Sequence, residues 1–223
     1  MRRMGVVAVA LAAVIAVGCN RADNRAANGS AVGTAGRAEN GVSAGDRDFV
    51  RDVTVMNAAE IELSRTALQK SAGADVKQFA QMMVDDHTSA GEKLRAVATQ
   101  HQIDAPAQLD DKHRDKGEKL AAKQGLDFDK DYADAMVDGH QDLVDKLESR
   151  IDKDTLSRFK ADSAGQSGKE TAKVEAKAVT AEKSDSPITM AINQWAADTY
   201  AVAYAHLQAA KAMRDGVRKR STN

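Results

Sequence analysis

From Asp48 to the end of the chain, apolar residues recur at steps of three and four, the period of a helix with one buried face. Five stretches carry it: about 48–72, 75–101, 107–124, 127–150 and 187–218. Their ends are marked by residues with physical reasons to be there. Gly73 and Gly125 follow the first and third stretches, and glycine tolerates the positive φ that closes a helix. Asp75 with Gln78 three residues on resembles a capping box, and Pro106 stands where a first helical turn accepts it. Ser186-Pro187 reads as an N-cap followed by a first helical position. Hydrophobic residues make up 43% of the 223 residues, enough for a core, yet aromatics are only 4% and much of the rest is Ala. That mixture favours helices over strands. Short connections after the first and third stretches favour antiparallel neighbours. The expectation is an all-α protein: one up-down bundle of four helices with a fifth, C-terminal helix, spanning 48–219. The segment 161–186 is rich in Lys, Glu, Ala and Ser. It reads as a solvated helical extension or a mobile loop.

An internal repeat supports the bundle. Phe79-Ala80, Met83-Val84-Asp85, His87 and Lys93-Leu94 match Tyr132-Ala133, Met136-Val137-Asp138, His140 and Lys146-Leu147 at a constant interval of 53 residues. The second and fourth stretches are therefore expected to be equivalent halves of a duplicated helical hairpin.

The N-terminus reads as a targeting segment. Arg2 and Arg3 precede an apolar run from Val6 to Val17, shorter than the roughly 20 residues of a membrane-spanning helix. Ala16-Val17-Gly18-Cys19 resembles a bacterial lipobox, with Ala16 where Leu is usual. Residues 1–18 are thus expected to be a lipoprotein signal peptide and Cys19, the only Cys, the lipidated residue of an exported protein. Asn20 after the Cys points to the outer membrane under the enteric sorting rule, with a soluble periplasmic protein as the alternative. Residues 19–47 are rich in Gly, Ala, Asn and Ser and read as a flexible tether reaching about 30 Å. The expected partner is the membrane, met through lipid; a further envelope partner is not specified.

Composition also excludes. A net charge of −1 with no basic block argues against nucleic acid, and one Cys excludes an internal disulfide framework and Cys-rich zinc sites. There is no Gly-rich phosphate loop after a strand and no Gly-x-Ser-x-Gly elbow, so no enzyme class is indicated. Asp85-Asp86 and Asp110-Asp111 lack the pattern of a calcium loop and read as solvated faces.

Each helical stripe is broken by one ionisable residue where the period asks for an apolar one: Glu60, His87, His113, His140 and His206. Burying such a group without a partner costs several kcal/mol. Glu60 and His87 both lie about 20 Å from the turn at Gly73, and His113 and His140 lie at similar depths from Gly125. One reading is a buried polar core of Glu60, His87, His140 and His206 that specifies helix packing, with no cofactor. The other is a metal site of Glu60, His87, His113 and His140, since imidazole and carboxylate converging in a bundle hold di-metal centres. Such centres use Glu-x-x-His, and Val84 and Val137 occupy the Glu positions here. Asp86 lies beside His87 and points about 100° away on its own helix.

Several phrases resemble a bacterial family called domain of unknown function 4142. They are Phe49-Val50, Ala58-Ala59-Glu60-Ile61-Glu62-Leu63, Val76-Lys77-Gln78-Phe79-Ala80 and Met83-Val84-Asp85-Asp86-His87-Thr88, followed by Phe128-Asp129 with Tyr132, Met136-Val137-Asp138-Gly139-His140, and His206-Leu207 with Ala209-Ala210. The resemblance implies a ferritin-like bundle in an exported or outer-membrane protein, a stress-related role, and no defined reaction. The sequence thus points first to a non-enzymatic envelope lipoprotein with a binding or structural role. The alternative is a ferritin-like metal-binding or redox protein.

Overall fold

A computed structural model describes residues 41–106, 108–164 and 179–221. The signal peptide, Cys19 and most of the expected tether lie outside the described residues, as does the middle of the 161–186 segment.

Six helices follow one another: α1 Ala44–Lys70, α2 Ala74–Gln100, α3 Asp111–Ala121, α4 Gly125–Glu148, α5 Lys153–Ala164 and α6 Pro187–Arg220. Local chemistry sets their ends. The Ser43 side chain accepts from Asp46 N at 3.0 Å, that of Asp110 from His113 N at 2.9 Å, and that of Ser186 from Thr189 N at 3.3 Å. Each supplies an acceptor to a first-turn N–H that has no partner within the helix. Gly125 takes φ +58° at the tight turn into α4, a conformation costly for other residues. The first helix starts at Ala44, earlier than the expected 48, and Val42 and Asp46 are already buried.

Four long helices form a ring in which α1 lies against α2 and α4, and α6 lies against the same two. Their directions follow from contacts along their length. Arg150 meets Asp46 at 2.6 Å while Tyr132 meets Ser64 at 2.9 Å, so α1 and α4 are antiparallel. Arg220 meets Asp75 and Trp195 meets Ala90, so α2 and α6 are antiparallel too. Phe79 faces Tyr132 and His87 faces His140, so α2 and α4 run the same way. The strict up-down alternation is therefore amended to a bundle with one long crossover, which ferritin-like bundles also use. The crossover is the chain from the end of α2 through α3. Only 11 residues long, α3 packs outside the ring on α1 and α4, while the C-terminal α6 completes it. The repeat holds for α2 and α4 but does not extend to the helices before them, since α1 is a ring member and α3 is not.

Side chains of α2, α4 and α6 fill the centre. Phe128, Tyr132, Met83, Met136, Leu94, Leu147, Ile192 and Tyr200 are fully enclosed, each contributing about 2 kcal/mol of apolar burial. The 161–186 region is tied at its described ends. Phe159 of α5 packs on Tyr200 and Tyr204, and an isolated bridge joins Ile151 to Ala181. Among the described residues no helix is long and apolar enough to cross a membrane.

Candidate metal centre

Halfway along the ring, each long helix sends one ionisable side chain inward: Glu60 from α1, His87 from α2, His140 from α4 and His206 from α6. All four are buried. The repeat explains one pairing, because residues 53 apart on α2 and α4 meet across the axis, with Nε2 of His87 3.3 Å from Nε2 of His140. Glu60 Oε2 lies 3.2 Å from His87 Nε2, and Oε1 lies 3.4 Å from His140 Nδ1. Ring centroids of the three imidazoles form a near-equilateral triangle of 5.2, 5.5 and 5.6 Å. One nitrogen from each of the three lies within 4.8 Å of the others.

The neighbours fix orientation. His140 Nδ1 donates to Met136 O at 2.9 Å, which turns its Nε2 lone pair toward His87. His206 Nε2 donates to Asp86 Oδ2 at 2.9 Å, leaving Nδ1 as its unprotonated nitrogen. The Asn57 side chain donates to the carbonyl of His87 at 2.9 Å. Two glycines provide room. A Cβ on Gly91 would come within 2.7 Å of the Asn57 amide nitrogen, and one on Gly139 would collide with Glu60 Oε1. Glycine inside a helix costs about 0.8–1 kcal/mol relative to Ala. At Gly139 it gives the carboxylate space that no other residue would leave.

The cluster is short of partners. Neither oxygen of Glu60 accepts a hydrogen bond, and His87 Nδ1 has none either. An unpaired polar group in the interior costs about 1–3 kcal/mol, more if charged. Burial pushes the Glu60 carboxyl above its usual value. Burial, reinforced by His140 and His206, holds His87 well below the usual imidazole range. His206 is lowered to about 4, by burial first and then by His140, against the opposing pull of Asp86. The result is neutral imidazole lone pairs beside an unsatisfied carboxylate.

His113 stands apart from the three imidazoles. It sits on α3, its Nδ1 is 2.6 Å from Asp110, and it shares with Glu60 the wall of a cavity of about 740 Å³ bounded by α1, α3 and α4. The expectation that it pairs with His140 fails because its own cap residue, three positions away, reaches it first. Asp110 lies on a solvated face as expected, and it also caps α3. Asp86 also keeps a half-exposed side chain, and gains a partner the sequence did not indicate. Its angle on α2 points it away from the cluster's axis but straight at α6, where it meets His206. Gly139 went unnoticed in the sequence, although a glycine in mid-helix beside a stripe His was the available signal.

The fold and these side chains define a class: a one-crossover helical bundle with an inward-facing Glu/His cluster drawn from all four ring helices. Within that class, the chain belongs to the family described as domain of unknown function (DUF4142), which matches residues 31–166. The match contains Glu60, His87 and His140 and ends before α6. No curated protein and no solved structure matches the chain.

Proposed function

We propose that this protein binds a divalent transition-metal ion through Glu60, His87, His140 and His206, as a non-enzymatic protein tethered to the cell envelope. The observation that carries the metal reading is the set of three buried imidazoles with one nitrogen each within 4.8 Å of the others, beside a buried Glu60 carboxylate that accepts no hydrogen bond and lies 3.2 Å from His87 Nε2. A cation between these groups would satisfy them together. The spacing supports it. Ligand atoms about 2.0–2.1 Å from a tetrahedral ion lie about 3.3 Å from one another, and three imidazoles on it have centroids about 5.2 Å apart. Three imidazoles and a carboxylate suit zinc, copper, iron or nickel better than calcium or magnesium. Four protein ligands fill a tetrahedral sphere, which favours holding an ion over catalysis at an open position. Asp86 behind His206 and the Met136 carbonyl behind His140 are the outer partners that ligating histidines usually have.

Elemental analysis of protein purified from its native envelope tests this reading. A stoichiometric transition metal, lost in a His87→Ala/His140→Ala double variant, is expected. Metal-free native protein whose double variant loses only stability would instead leave the cluster as a packing network.

The envelope part rests on the sequence. Arg2, Arg3, the apolar run and Gly18-Cys19 support export and lipidation at Cys19, which sets the bundle on a tether facing the periplasm. Mass spectrometry of the mature N-terminus is expected to find a diacylglyceryl Cys19. An unmodified Cys19 would refute the anchor.

A further inference from the structure

We propose that the cavity between α1, α3 and α4 is the loading vestibule of the metal centre, through which a divalent cation enters and leaves by way of Glu60. The proposal rests on the metal reading above and adds how the ion is exchanged. Two openings approach the cluster. On the α2/α6 side, the pocket that reaches His87 and His206 holds only about 30 Å³, roughly one water, and the cavity of about 600 Å³ outside it, with which it shares Asp86, Trp195 and Val202, touches neither Glu60 nor any of the three imidazoles. On the other side the cavity of about 740 Å³ ends on Glu60. That volume admits a hydrated ion with room for its water to be shed.

Glu60, which borders the three clustered imidazoles, lines this cavity and none of the imidazoles does. It is 4% exposed, and its oxygens already face two imidazoles, so one swing of the carboxylate carries a ligand atom between vestibule and centre. The missing side chain at Gly139 clears the volume in which it swings. The walls carry both signs of charge. Asp52 is engaged by Arg51 and Lys146, and Asp110 by His113, while Asp142 forms no ion pair and acts on Glu60 as a second negative charge. Lys116 and His113 act in the opposite sense, so the field is mixed and the selective element is Glu60 itself. Such a site loads and releases its ion without opening the bundle, the behaviour of an ion carrier or buffer.

The test separates equilibrium from rate. Co(II) is titrated into the metal-free protein, and release to a chelator is followed by stopped flow. Met56→Trp and Val55→Trp each place an indole in the vestibule from partly buried positions, and Val202→Trp covers the opposite pocket from an exposed one. Loading and release are expected to slow about tenfold in either vestibule variant, about 1.4 kcal/mol in barrier, with affinity unchanged and Val202→Trp like the parent. Should Met56→Trp fail to fold, Val55→Trp gives the same reading. Slowing by Val202→Trp alone, or unchanged rates in every variant, overturns the vestibule while leaving the metal site intact. Absence of Co(II) uptake at equilibrium overturns the metal reading, and this proposal with it.

Discussion

Glu60 and Gly139 form one unit despite lying on different helices. The carboxylate occupies the volume that a side chain at position 139 would fill, so Gly139→Ala sets two effects against each other. Better helix propensity contributes about 1 kcal/mol in favour. Overpacking costs about 1–3 kcal/mol, because a Cβ at 139 would occupy the space that Glu60 Oε1 holds. Net destabilisation is expected in urea unfolding, and it should vanish in a Glu60→Ala background, where the collision partner is gone. The imidazoles give a second expectation, on pH. His87 and His206 bind protons in the unfolded chain near 6.5 but resist them when folded, His206 down to about 4. Across that window the unfolded state holds more protons, so stability falls as pH falls. Glu60 has the opposite sign. Its raised folded value means stability is lost as pH rises from 4.5 toward that value. Glu60→Gln removes that opposing contribution, and thermal unfolding of the metal-free Glu60→Gln protein is expected to shift down between about pH 7 and about pH 5. His206→Gln should flatten that slope.

At the scale of elements, Arg150 at the end of α4 fastens three helices. Its guanidinium holds Asp46 at 2.6 Å and the Gly45 carbonyl at 2.8 Å, approaches Asn193 of α6 at 3.4 Å, and lies 4.6 Å over the Phe49 ring. Asp46 is 1% exposed and also accepts from Ser43 and Thr189. Removing Arg150 leaves that carboxylate enclosed without its cation, so Arg150→Ala is expected to cost about 3–5 kcal/mol, read as a lowered urea midpoint. Every helix but α5 is legible in the sequence because stripe and cap are local: Ser186-Pro187 marks the start of α6, and the α2/α4 repeat makes His87 and His140 equivalent, whereas Lys153–Ala164 is not among the expected stretches. Neighbours were less legible. A stripe tells which face is buried and not what buries it, so nothing in the period of 107–124 showed that α3 would be short and peripheral, or that α6 would complete the ring. His113 was misplaced for the same reason, since depth along a helix was matched while the side chain's nearest acceptor, Asp110, lay on the same turn. Asp86 was judged by its angle on α2 alone, and its partner is on α6.

Across the whole molecule, the cluster draws one side chain from each of α1, α2, α4 and α6, the four helices that enclose the core. A metal held there joins segments far apart in sequence, from position 60 to position 206. No partial opening that separates any ring helix keeps the full set of ligands, so metal affinity becomes global stability. The expected gain is about 2.7 kcal/mol when the free ion is at 100 times its dissociation constant, and it should grow logarithmically beyond that. A packing network predicts something else: metal-independent stability with a large loss in His87→Ala/His140→Ala. Hydrogen exchange distinguishes the two most directly. Under the metal reading, added Zn(II) should slow amide exchange in all four ring helices together, with α3 and α5, which supply no ligand, affected least. Protection confined to one helix would mean surface binding. Protection of the whole ring, lost when His206 alone is replaced, would show that the C-terminal helix, beyond the family match at 31–166, is as much part of the centre as the matched helices that supply Glu60, His87 and His140.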